Sequence, residues 1–155
     1  ENDKSIFMAT SLGYEIFEIW NYYSLIPKKK SNFKITFEKS SNLSIFPFYV
    51  DSWRWIKLTE KILANLSAQN RIIKSTLKGE TSFAIIGDYK HLAKTLIVTL
   101  FPGSVDSLSE ILSYLQNYAF EKNYQRIQIL TKQKIKPLDC LTYKISFNLM
   151  QKSLI

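Results

Sequence analysis

Lys94 to Thr131 reads K-T-L-I-V-T-L-F-P-G-S-V-D-S-L-S-E-I-L-S-Y-L-Q-N-Y-A-F-E-K-N-Y-Q-R-I-Q-I-L-T, and its periodicity changes twice. Lys94 to Phe101 is a strand candidate, rich in β-branched residues. Val105, Leu108, Ile111, Leu112, Leu115 and Ala119 fall on one stripe at the helical period, which predicts a helix over 105–122. Ser104 or Ser107 can cap it, and Ser107 with Glu110 fits a capping box. Arg126 to Thr131 then alternates as a strand. Strand, long helix and strand in succession make a βαβ unit, so the two strands are expected to run parallel.

Upstream, Arg71 to Leu77 and Thr81 to Ile86 are two more strand candidates. Lys78-Gly79 and the stretch Gly87 to Ala93 are plausible hairpin connections, which makes an antiparallel meander with 94–101. Thr59 can cap a helix that carries Glu60 in its first turn, turns Ile62, Leu63 and Leu66 inward, and ends near Asn70. Ile45 to Ile56, with Trp53-Arg54-Trp55, is interrupted by Pro47 and is left open. Phe33 to Lys39 alternates as a strand with one buried face. At the N-terminus a short helix over 2–12 stops at Gly13, and Tyr14 to Leu25 is a strand closed by Pro27. Lys28 to Asn32 is a charged connector. Downstream, 135–141 is at most a short helix bent or started by Pro137, and Tyr143 to Met150 is a last strand. The expected class is α/β (α+β): a mixed, mostly antiparallel sheet with helices on both faces.

The 155 residues suffice for one ordinary domain, and 46% hydrophobic with 22% charged residues is a globular composition. No run approaches the roughly 20 apolar residues of a membrane span, and the polar start lacks a secretory signal, so the expected location is cytoplasmic. With Cys140 the only cysteine and His91 the only histidine, no Cys/His metal cluster is expected. A net charge of +8 favours anionic partners: nucleic acid, a CoA-type cofactor or an acidic protein. The cations are mostly lysine, with arginine only at positions 54, 71 and 126, and readers of base edges lean on arginine.

Setting Thr131 onward beneath Asn2 onward pairs Ile6 with Ile135, Leu12 with Leu141, Tyr14 with Tyr143 and Ile16 with Ile145, a weak helix-then-strand repeat. The order meander, βαβ, short helix, strand resembles the second half of a GCN5-related N-acetyltransferase (GNAT). The end L-T-Y-K-I-S-F is similar to that family's closing L-G-F and strand. The family's N-x-x-A-x-x-L-Y-x-x-x-G-F lies over N-D-K-S-I-F-M-A-T-S-L-G-Y, with Asn2, Gly13 and Tyr14 at the family spacing. The resemblance implies an acyl-CoA N-acyltransferase fold: residues 1–27 as the tail of a preceding GNAT-like domain, 28–32 as linker and 33–155 as a second domain. It also implies acetyl-CoA as cofactor and an amine as acceptor.

In that family a Q/R-x-x-G-x-G/A stretch before the central helix grips the cofactor's pyrophosphate. Its counterpart here is T-L-F-P-G-S-V-D-S-L, with one glycine and with Asp106 just inside the helix. The cofactor-binding candidates implied are Leu100, Phe101, Gly103, Ser104 and Val105, with plain helix capping as the rival reading. The tyrosine that serves the family as proton donor is replaced by Ala9 in the first copy and Leu138 in the second. Glu80, Asp88 and His91 are the available bases, each also explicable as a solvated turn residue, and no catalytic pair is assigned. Trp53 and Trp55 around Arg54 read as packing with a cation-π arginine. The alternative function is a non-enzymatic basic module for nucleic acid or an acidic protein, using lysines 28–30, 132, 134 and 136 with Tyr124 and Tyr143. Strand 14–25 is too apolar for water; it should join the sheet beside 143–150, or, lacking an intrachain partner, pair with a second copy.

Overall fold

The computed structural model of the chain describes residues 3–38, 48–52, 54–87, 94–136 and 138–152. In order, the elements are α1 (Asp3–Ser11), β1 (Tyr14–Leu25), β2 (Thr36–Phe37), β3 (Phe48–Asp51), β4 (Arg54–Lys57), α2 (Glu60–Ala68), β5 (Ile72–Leu77), β6 (Glu80–Gly87), β7 (Thr95–Phe101), α3 (Val105–Glu121), β8 (Arg126–Thr131) and β9 (Leu141–Lys152). Seven strands form one sheet in the order β2-β5-β6-β7-β8-β1-β9, and β3-β4 make a separate ribbon. The β7–β8 pair is parallel and its neighbours are antiparallel, as the strand-helix-strand pattern requires.

Period-two alternation divides the burial between two faces. Ile73, Ala84, Ile86, Leu96, Val98, Ile127 and Ile129 turn to α3, whose Leu108, Ile111, Leu112, Leu115 and Ala119 complete the main core. Ile72 and Ile85 turn the other way, onto Leu63 and Leu66 of α2 and Tyr49 of β3. Farther along that face, Trp20, Val50, Ile97 and Leu130 form a third cluster. Helices therefore lie on both faces. The β5–β6 turn is tight: Leu77 pairs with Glu80, and Lys78 and Gly79 both take positive φ, 52° and 81°, the geometry of a two-residue hairpin loop.

β1 enters the sheet between β8 and β9. Asn21 to Leu25 pair with β8, and the whole strand pairs with β9, which extends over 141–152 instead of the expected 143–150. Because β1 has partners within the chain on both sides, the condition for pairing 14–25 with a second copy is not met.

Several expectations are corrected. Over its described part, 33–38, the strand expected at 33–39 is limited to Thr36–Phe37, because the preceding chain is drawn to α3: the backbone N–H groups of Lys28, Lys30 and Lys34 donate to Gln116 O, Asn117 Oδ1 and Glu110 Oε2. That contact also dissolves the expected capping box; Ser104 is the cap and Ser107 lies buried inside the helix. The stretch left open at 45–56 contains the β3–β4 ribbon. No helix forms over the described part of 135–141: Ile135 gives both backbone groups to the Tyr23 hydroxyl, and a lone bridge joins Leu138 to Leu141. The helical half of the weak repeat thus exists only at α1. The cation over Trp20 is Lys132, at 5.8 Å, and Trp55 packs edge-on to Trp20 at 4.6 Å; Trp53 lies outside the described residues. Among the described residues no helix is long and apolar enough to cross a membrane, and no group of three or more His, Cys, Asp or Glu could hold a metal ion.

Candidate functional site

The parallel ladder stops before its strands do. Its last pair is Thr99 with Leu130, yet β7 runs on to Phe101 and β8 to Thr131. Beyond that pair β7 stays with β6 through Phe83–Phe101, while β8 stays with β1 through Asn21–Thr131, so the central strands part at their C-terminal ends. A cavity of about 420 Å³ lies at this end, walled by Gly103, Ser104, Val105 and Leu108 on one side and by Gln133, Lys134, Ile135 and Lys136 on the other.

The α3 wall is built from serines. Ser104 Oγ accepts the Ser107 amide at 3.2 Å, and Ser107 Oγ meets Ser82 Oγ at 2.8 Å beneath the helix. Ser82 Oγ in turn accepts the Gly103 N–H at 2.8 Å. A Cβ on Gly103 would stand 2.3 Å from the Thr81 carbonyl oxygen, so this glycine permits close packing on β6, and its amide is already engaged. The amides of Val105 and Asp106 precede the first intrahelical bond, from Leu108 N–H to Ser104 O, and of these two residues Val105 lines the cavity. Asp106 shares that turn. It holds Lys78 Nζ at 2.7 Å, and this hydrogen bond and the carboxylate charge raise the Lys78 pKa.

The opposite wall, Lys132 to Lys136, is an irregular strap fastened by β1 and β9. Asn21 Nδ2 donates to Lys132 O at 3.2 Å, Glu18 pairs with Lys132 Nζ, and Lys134 Nζ sits 5.9 Å from the Tyr143 ring centre. The Tyr23 hydroxyl accepts the Ile135 amide at 2.8 Å and faces its carbonyl at 3.4 Å. Burial of Tyr23 raises its pKa, which keeps the hydroxyl protonated and able to serve both groups.

Of the five cofactor candidates, Gly103, Ser104 and Val105 line the cavity. Leu100 is wholly buried in the main core, and Phe101 packs on the opposite face with the α2 cluster. Glu80 is brought to the cavity and is exposed; Asp88 and His91 lie outside the described residues. Tyr124 lines a different cavity with Arg71 and Gly87, stacked on Tyr118 at 6.5 Å. Lysines 28–30 follow β1 where Leu25 meets Ile127 at the start of β8, whereas Lys132, Lys134 and Lys136 follow the end of β8, so the two groups do not make one patch. Sequence reasoning missed the strap as a wall; its signal was one apolar residue, Ile135, set among lysines.

Acetyl-CoA fits this cavity in part. The cationic strap and the free first-turn amides of α3 suit phosphates. The family's glycine grip is absent, and among the described lining residues Glu80 is the lone carboxylate and no tyrosine hydroxyl is present.

No family model matches the sequence, and no curated protein matches it significantly. A chain from Thermoplasma acidophilum, provisionally assigned as an acetyltransferase, superposes with a TM-score of 0.45 at 15% identity, covering 96% of this chain and 52% of that one. A GCN5-related N-acetyltransferase from Anabaena variabilis gives a TM-score of 0.35 at 10% identity, covering 94% of this chain and 42% of that one. The chain spans about half the length of these structures or less.

Proposed function

We propose that this chain is a GNAT-like domain that binds an acyl-CoA-type ligand in the cleft at the parted strands and does not by itself transfer the acyl group. The observation that carries it is the end of the β7–β8 ladder at Thr99–Leu130, which opens a cavity between a helix start and a cationic strap. Lys134 and Lys136 would hold phosphates together with the Val105 and Asp106 amides. Bound acetyl-CoA would supply an activated thioester. Among the described residues, those that line the cleft would orient the ligand but place no matched proton acceptor and donor around it.

On the same reading, residues 1–27 close a preceding GNAT-like domain and lend β1 to this sheet. What supports this is α1, none of whose residues is buried, with Phe7 and Met8 exposed beside Leu12.

A thermal shift with acetyl-CoA tests the binding. At about 100 times Kd the ligand stabilises by about 2.7 kcal/mol, a rise in Tm of roughly 5–10 °C for a chain of this size. The double variant Lys134→Glu, Lys136→Glu should abolish the rise. No shift at millimolar acetyl-CoA sinks the reading, as does tight, steeply salt-dependent gel-shift binding of nucleic acid, which belongs to the alternative basic module. Release of free thiol in the presence of amines would contradict the absence of transfer.

A further inference from the structure

The strap has no ladder and no helix to hold it. Its order depends on side chains that reach up from β1: Glu18 to the Lys132 ammonium, Asn21 to the Lys132 carbonyl, and Tyr23 to both backbone groups of Ile135. Ile135 is 8% exposed; it lines the cavity and also belongs to the main core with Leu100, Leu108 and Leu112. It is therefore the partition between the solvent-facing cleft and the parted strands behind it. A ligand can occupy the mouth with the strap in place. To reach the strand edges beyond Thr99 and Leu130 it must move Ile135, and so break the contacts to Tyr23.

We propose that Lys132 to Lys136 is a gate over the parted strands, held shut by the Tyr23 hydroxyl on Ile135. This rests on the cleft being the ligand site, and it adds that the closed strap lowers the apparent affinity. A site competent only when open binds more weakly in proportion to its open fraction. Tyr23 is a positioning residue: it shares no wall with the ligand and acts through Ile135.

Amide exchange and calorimetric titration with acetyl-CoA, on the whole chain, test the gate together. Tyr23→Phe removes the hydroxyl and keeps the ring, and Asn21→Ala releases the strap at Lys132 should the first variant fold poorly. Tyr22→Phe, on the opposite face of the same strand, is the control. The expected result is exchange in 132–136 faster by roughly two- to tenfold in Tyr23→Phe, matching the loss of one hydrogen bond, with a fall in Kd of similar size and no change in the control. Unchanged exchange in both strap variants overturns the latch. Faster exchange with unchanged or weaker affinity overturns the gate, and if wild type binds, the cleft reading survives. Absence of acetyl-CoA binding in wild type and in every variant overturns both.

Discussion

Gly103 and Thr81 stand so close that a Cβ on residue 103 would lie 2.3 Å from the Thr81 carbonyl oxygen. The lone glycine of the loop before α3 is therefore held by packing against β6. Gly103→Ala must push the loop off the strand, at a cost of about 1–3 kcal/mol. Urea denaturation should show a lower midpoint with an unchanged slope. A variant as stable as wild type would mean that the loop yields freely.

Ser107 is wholly buried, and its hydroxyl meets that of Ser82 at 2.8 Å. Ser107→Ala should cost about 1–2 kcal/mol, because a buried hydroxyl keeps its desolvation cost when its partner goes. Removing Ser82 as well should cost less than the two single changes added together, and a double-mutant cycle measures the coupling. Strict additivity would show that the pair is not a working contact.

Asp106 serves the helix and opposes a phosphate. Its charge favours the positive start of α3, so Asp106→Asn should lower stability by about 0.5 kcal/mol. The same change removes a negative charge next to the cleft wall, one residue beyond Val105, and on the proposed reading should tighten acetyl-CoA roughly threefold in low salt, less so in high salt. Urea denaturation reads the first effect and ligand titration at two ionic strengths the second; weaker binding at low salt would place the phosphates elsewhere.

Tyr114 lies under the edges of Phe33 and Phe37, and burial, with the neighbouring Tyr118 and Glu121, pushes its pKa up to about 12. A phenol whose folded pKa is raised keeps its contribution below pH 10 and loses it as pH climbs toward 12, because the unfolded chain ionises first. Discounted for a half-buried hydroxyl, the loss is about 1–2 kcal/mol. Tyr114→Phe should therefore lose less stability than wild type between pH 10 and 12 in denaturant titrations. Parallel curves would defeat the assignment.

The part of the fold legible in the sequence is the part that local pattern controls. The α3 stripe from Leu108 to Ala119 and the short alternating strands around it each carry their own period, and burial on one face obliges each to form, whereas Val105, expected on the stripe, sits half exposed in the first turn. The cleft was half legible: Gly103, Ser104 and Val105 follow from the position before α3, whereas Lys134 to Lys136 reach the cavity through contacts more than a hundred residues away in sequence. The strand expected over 33–39 is confined to Thr36–Phe37 among its described residues for a similar reason, since Glu110 of α3 takes the Lys34 amide just before it.

By itself the sequence determined the types of the long elements, the parallel βαβ pair and the two-sided burial, because hydrophobic period and turn chemistry act over a few residues. The place of β1 beside β9 was expected from its sequence, but tertiary structure alone decided that β8 takes its other side, that the β7–β8 ladder stops at Thr99–Leu130, and that a tyrosine hydroxyl holds the Ile135 backbone. Those outcomes depend on which distant groups are brought together as partners in the folded chain. A pattern of local propensities carries no information about a donor 112 residues away.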